Sequence, residues 1–212
     1  MSRRVAYQGE PGAYSDVAVG QYFHDRATGL PCATFADALQ RVIDGSADAA
    51  MLPVENAIAG PVHAALEAIE QAGGALVRLA EHRLVIVLCM LGIPGAMLAS
   101  VARVRSHPVA LAQCRIFLAR HPWLEAEAHA DTAGAARELA ESGDRTSAAI
   151  ASELAATRYG LEVLTRGVQD VPHNWTRFVV LMRHDHPDVQ PGRASPDAAV
   201  HSIPVSGTAS GT

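Results

Sequence analysis

An α/β fold with mainly parallel sheets is predicted by three observations. Short apolar runs alternate with segments whose apolar residues recur at helical spacing. Gly and Pro punctuate the joins between them. Apolar residues make up 49% of the chain and charged residues 18%, enough to fill a core and far from the composition of a disordered chain. Repeated βα alternation favours parallel pairing, with ligands beyond the C-terminal ends of the strands.

The elements follow in order. Residues 5–7 read as a strand, 9–12 as a turn and 13–24 as a helix. Thr34 is placed to cap a helix on which Phe35, Ala38, Leu39, Val42 and Ile43 share one face; Gly45 ends it. Residues 49–52 form a buried strand that Pro53 is expected to stop. A helix over 62–71 buries Ala65, Leu66 and Ile69 and breaks at Gly73-Gly74. Strands are predicted at 75–79, 84–91 and 101–105. Pro108 suits the first turn of a helix over 108–120. Thr132 is placed to cap a helix ending at Glu141; 148–150 is a strand, 152–159 a helix and Gly160 its C-cap. Residues 178–182 close the series as a β-rich run.

Residues 81–165 suit a second lobe, with 1–80 and 166–183 forming the first and two crossings between them. Polar strand ends at residues 9–15, 53–60 and 106–107 are expected to converge on the crevice. Residues 184–212 hold Pro187, Pro191, Pro196 and Pro204 with few bulky apolar residues, and read as a disordered tail.

The chain of 212 residues carries 17 basic and 22 acidic side chains, a net charge of −5, which argues against a general nucleic-acid binder. The longest apolar run, 84–91, is far short of a membrane span, and no signal-peptide pattern precedes the first strand. Cys32, Cys89 and Cys114 form no pair with metal-ligand spacing, and so sparse a set fits a reducing cytoplasm.

Four segments hold candidate chemistry. In Thr176-Arg177-Phe178, arginine offers a planar fork for a carboxylate and threonine a short hydroxyl; from pattern alone a strand-start cap with a surface arginine is the favoured reading. Glu55 and Asn56 follow a buried strand and suit either acid–base and ligand contacts or turn stabilisation. Ser106 and His107 stand at a strand-to-helix junction, as a cap or as anion and carboxylate donors, and Gln113 lies far enough along the helix to line the same cleft. The Gly9–Ser15 stretch lacks both G-x-G-x-x-G and the Walker lysine, yet Ser15 can still meet an anion. No compact metal motif is present; His184-Asp185-His186 reads as a solvated segment.

Taken together, four stretches in order resemble the prephenate dehydratase family over about residues 4–183. They are Val5-Ala6-Tyr7-Gln8-Gly9-Glu10-Pro11-Gly12-Ala13-Tyr14-Ser15, Leu52-Pro53-Val54-Glu55-Asn56, Ser106-His107-Pro108-Val109-Ala110-Leu111-Ala112-Gln113-Cys114 and Asn174-Trp175-Thr176-Arg177-Phe178-Val179-Val180-Leu181. The resemblance implies a two-lobed fold of periplasmic-binding-protein type (type II), with the active site in the cleft. It implies conversion of prephenate to phenylpyruvate, carbon dioxide and water in phenylalanine biosynthesis, by a carbon–oxygen lyase that needs no cofactor. On this resemblance Thr176 is catalytic, with Glu55 in the acid–base network. Arg177, Asn56, Ser106 and Gln113 are then substrate-binding; His107, Ser15 and Phe178 are expected as further substrate contacts, and since the ring carboxylate must stay free to leave, Arg177 is expected to hold the pyruvyl carboxylate. Where the family usually has Ser after Glu-Asn, this chain has Ala57. Family members often self-associate, which makes a homodimer an expectation, and often carry a C-terminal ACT domain that binds phenylalanine. No such pattern fits residues 184–212, so feedback by that route is not expected. An arogenate dehydratase and a non-catalytic small-anion binding module are the alternatives.

Overall fold

The structure, a computed structural model, describes residues 2–24 and 26–189. In chain order the elements are β1 (Arg3–Gln8), α1 (Tyr14–Phe23), β2 (Ala27–Cys32), α2 (Phe35–Ile43), β3 (Ala49–Asn56), β4 (Gly60–Pro61), α3 (His63–Ala72), β5 (Leu76–Val85) and β6 (Cys89–Gly92). They continue with β7 (Arg103–Ser106), α4 (Pro108–Ala112), α5 (Arg115–Arg120), β8 (Glu125–Ala128), α6 (Thr132–Ser142), β9 (Ser147–Ala151), α7 (Glu153–Tyr159), β10 (Glu162–Arg166) and β11 (Trp175–Arg183).

Two sheets result. The first runs β2-β1-β3-β11-β5, with β4 on β3; the second runs β10-β6-β9-β7-β8. The expected mainly parallel pairing is corrected to mixed. β1 pairs parallel with β2 and β3, and β7 with β8 and β9, but β11 runs antiparallel between β3 and β5, and β6 antiparallel between β9 and β10. The physical reason is β11: it returns from the second sheet and enters the first from the opposite end. The chain passes between the sheets after β5 and again before β11. The two passages are bonded side by side, since the Leu88 carbonyl accepts from Gly167 and Val168 N–H, both 2.9 Å, and Ile86 N–H donates to the Asn174 carbonyl at 2.9 Å.

Burial explains the layers. Alternation along β11 and β3 sends Phe178, Val180, Met182 and Met51 to one face and Val179, Leu181, Leu52 and Val54 to the other. The second set packs against α2 and α3 through Leu39, Val42, Ala65 and Ala68. The first set packs against α1 and continues into Met90, Val104 and Ile150 of the second sheet, so the inner faces share one core. The outer face of the second sheet is covered by α6 and α7 through Ala135, Leu139, Ala155 and Ala156.

Local signals set the ends. Thr34 makes the expected cap of α2, reciprocated by Asp37. Gly160 takes a left-handed C-cap, φ 68°, and Ser152 caps α7. Four expectations are corrected. Pro53 does not stop β3; it faces Phe178 at a β-bulge, where a missing N–H is tolerated. The apolar run 84–91 is divided between β5 and β6 by the first passage. The helix over 108–120 is broken, because the Gln113 carbonyl accepts from Asp170 N–H (2.6 Å) and the Asp170 carboxylate takes the N–H of Arg115 (3.1 Å) and Ile116 (2.8 Å). Asp131, not Thr132, caps α6, accepting from Gly134 N–H at 2.5 Å. At the C-terminal side, Asp188 pairs with Arg3 and Val189 packs against the core, so ordered contacts reach beyond residue 184; residues 190–212 of the expected tail lie outside the described residues.

Candidate active site

The end of β3 and the start of β11 place the candidate residues. Their register sets Thr176 opposite Asn56 and Arg177 opposite Glu55. Consecutive strand residues point to opposite faces, so this pairing divides the group in two.

On the inner face stands Thr176, 8% exposed. The Asn56 amide donates to its hydroxyl oxygen at 2.9 Å, to the Asn174 side-chain oxygen at 3.0 Å and to the Trp175 carbonyl at 3.1 Å. The Asn56 oxygen accepts from Ile58 and Ala59 N–H at 3.0 and 2.9 Å, which closes the turn after β3. Asn174, fully buried, donates in turn to the Gln113 side-chain oxygen at 2.9 Å. A line of neutral groups thus runs Gln113–Asn174–Asn56–Thr176. Because Thr176 accepts from Asn56, its own proton is left over, and among the described residues it donates to no protein atom. Phe178 lies on this face but in the core, 1% exposed.

The outer face carries charge. The Glu55 carboxylate accepts from the Arg177 guanidinium at 3.0 and 2.7 Å, and Glu81 accepts from its third arm at 2.9 Å. These side chains are 34–44% exposed. Thr176 and Asn56 are therefore brought together with Gln113, while Arg177 and Glu55 are brought to each other and away from Thr176.

Ser106 and His107 make local hydrogen bonds. The Ser106 hydroxyl is fully buried and donates to the Ile150 carbonyl at 2.6 Å, tying β7 to β9. His107 is the N-cap of α4, its ring nitrogen accepting from Val109 N–H at 3.2 Å. Ser15 is buried in the first turn of α1. The loop before it clamps the two sheets together. Ser152 donates to the Gly12 carbonyl at 2.5 Å, Tyr159 to the Pro11 carbonyl at 2.7 Å, and Arg158 to the buried Asp16 at 3.0 Å. A side chain at Gly12, φ +86°, would sit 2.7 Å from the Ala155 backbone, so the close approach requires glycine. Two hollows, of about 470 Å³ beside Cys32 and Arg41 and about 260 Å³ beside Phe117 and Gly167, lie away from Thr176. Burial pushes the Cys114 thiol up to about 12, with help from the Asp170 charge, so this thiol is inert at neutral pH.

The family model for prephenate dehydratase matches residues 5–186. The chain belongs to the prephenate dehydratase family. It is 44% identical over 181 residues to a bifunctional N-acyl-homoserine lactone acylase/prephenate dehydratase of Komagataeibacter europaeus, covering 85% of this chain and 63% of that protein. It is 42% identical over 181 residues to arogenate dehydratase 1 of Petunia hybrida, covering 85% of this chain and 42% of that one. Among solved structures, a prephenate dehydratase of Arthrobacter aurescens in complex with L-Phe aligns with a TM-score of 0.78 at 34% identity, covering 85% of this chain and 60% of that chain. The chain therefore spans less than two thirds of the length of these relatives.

Within this chain, Asn174 and the Gly12–Ser152 clamp are contacts that residue types alone do not reveal. A signal for Asn174 was present. It lies two residues before Thr176, hence on the same face of an extended segment. The clamp had no such signal, because its partners are more than 100 positions apart.

Proposed function

We propose that this chain catalyses the decarboxylating dehydration of prephenate to phenylpyruvate, as a carbon–oxygen lyase of phenylalanine biosynthesis. Prephenate is a cyclohexadiene with a ring carboxylate and, opposite it, a hydroxyl. The C–CO2 bond breaks, its electron pair enters the ring, and the C–O bond breaks at the far end. The departing oxygen takes one proton and leaves as water. Aromatisation makes the step downhill, so the barrier lies in expelling hydroxide from an anion. The electron count calls for no redox cofactor.

The observation that carries this reading is the Thr176 hydroxyl, fixed as an acceptor by Asn56 at 2.9 Å and so left with its proton to donate. A positioned donor to a leaving group contributes about 10²–10⁴-fold. Asn56, Asn174 and Gln113 add dipoles without a positive charge. A neutral, water-poor surface suits a carboxylate that must lose CO2, since a tight ion pair would hold the electrons it has to release. In this reading Arg177 and Glu55 brace the bulged strand ends from the opposite face, and the leaving proton is replaced from solvent.

Arogenate is the second substrate to test, because several relatives are named arogenate dehydratases, one of them from Petunia hybrida. Parallel assays decide: phenylpyruvate by its absorbance in base, phenylalanine by chromatography. Turnover of prephenate supports the reading, turnover of arogenate alone moves it to that substrate, and turnover of neither leaves the anion-binding alternative. We place the protein in the cytoplasm on the support of three free, buried cysteines. Among the described residues no helix is long and apolar enough to cross a membrane. A homodimer is carried over from the family resemblance, and sedimentation tests it.

A further inference from the structure

Asn174 stands where the two passages between the sheets meet. Its carbonyl accepts from Ile86 N–H of the first passage at 2.9 Å, and it is itself the last residue before β11. Its side chain is fully buried, and each end of its amide has a partner. The oxygen accepts from Asn56 (3.0 Å), which belongs to the first sheet; the nitrogen donates to Gln113 (2.9 Å), which follows α4 beside the second. Asn56 has two amide protons for three acceptors, one of them the Thr176 hydroxyl oxygen. The Asn56 oxygen is held by the N–H groups of Ile58 and Ala59, and the Asn174 oxygen holds the nitrogen end; together they set the plane of the Asn56 amide, and with it the direction of the Thr176 proton.

We propose that Asn174 is a positioning residue that makes the orientation of the Thr176 hydroxyl depend on Gln113, and so on the two sheets being drawn together. It touches no reacting atom in this role; it acts through Asn56. The role rests on the dehydratase reading above. A rotated Asn56 amide leaves Thr176 in place but lets its proton turn away from the leaving group. Loss of alignment of this kind costs up to about 100-fold in rate.

The test is a double-mutant cycle on saturating turnover, with whichever of prephenate and arogenate the wild type uses. Asn174→Ala is expected to lower kcat by about 10- to 100-fold with KM within about threefold. Asn174→Ala combined with Gln113→Ala is expected to lose no more kcat than the worse single variant, because both break the same line of bonds. Val104→Ala, a core truncation in the second sheet, is expected to lower Tm while keeping kcat within about twofold. Unchanged kcat in Asn174→Ala, or losses that multiply in the double variant, overturn the proposal and leave the dehydratase reading standing. A wild type that turns over neither acid overturns the reading and this role together. Where Asn174→Ala does not fold, Asn174→Ser takes its place in the cycle. Failure of both to fold makes Asn174 a structural residue and overturns the proposal.

Discussion

The two faces of β11 differ within one residue step. Towards the inner core stand a buried hydroxyl, the buried amide of Asn174 and the half-buried amides of Asn56 and Gln113, all uncharged; towards α2 and α3 stands Arg177 between two carboxylates, about a third exposed. The inner face has alignment without charge, and the outer face charge without enclosure. Buried neutral bonds resist rearrangement because an unmade bond there costs about 1–3 kcal/mol. Exposed ion pairs are screened and contribute about 0–1 kcal/mol. The chemistry proposed for this site, loss of CO2 beside a departing hydroxyl, matches the first kind of surface. The charged face can hold the strand ends in register across the bulge between Arg177 and Phe178.

Substitutions can break this contrast. The largest effect is expected from Thr176→Val, a near-isosteric change that removes the hydroxyl as donor to the leaving group and as acceptor for Asn56: kcat falls by about 10²–10⁴-fold and KM stays within about threefold, read by steady-state kinetics. Asn56→Ala should come next. It frees Thr176 and leaves Ile58 and Ala59 N–H without their partner, lowering kcat by about 10- to 100-fold. Because the buried Asn174 oxygen loses its donor, the substitution should also lower stability by about 1–3 kcal/mol in denaturant titration. On the other face, Arg177→Met and Glu55→Gln should each change kcat and KM by less than about fivefold and stability by about 0–1 kcal/mol. A large KM rise in Arg177→Met would support the carboxylate-binding role that the sequence suggests and erase the contrast.

The smallest effect tests charge far from both faces. Bonds from Ser147 and Thr146, with Arg103, hold the Asp144 carboxyl far below its ordinary range. Its folded pKa is depressed, so its stabilising contribution is present above the ordinary carboxylate pKa and lost as pH falls toward the folded value. Asp144→Ala should therefore reduce Tm at pH 7 and shrink the drop in Tm between pH 5 and about pH 2. A drop of unchanged size would contradict this.

What the sequence made legible divides along physical lines. Buried central strands read clearly because apolar demand on both faces writes a continuous run, as in β1, β3 and β9. Three edge strands, β2, β8 and β10, did not: they pair on one side only and tolerate Gly29 and Pro31, or the alternating charge of residues 125–128. The Pro108 helix was legible at its start and not at its break, since the break is made by Asp170, over 50 positions away. Thr176, Asn56 and Gln113 were legible as polar groups at strand and helix ends. That Arg177 and Glu55 turn from them follows from alternation and was available in principle; that Ser106 is consumed by Ile150 was not, because a neighbouring strand's carbonyl leaves no mark in the sequence.

The central claim is that a proton on the residue-176 hydroxyl meets the leaving group. It is tested most directly by comparing Thr176→Ser with Thr176→Val at saturating substrate. Serine keeps the acceptor for Asn56 and the spare proton, and valine keeps only the shape. A serine variant at least about tenfold faster than the valine variant is predicted. Equal rates for the two would contradict it.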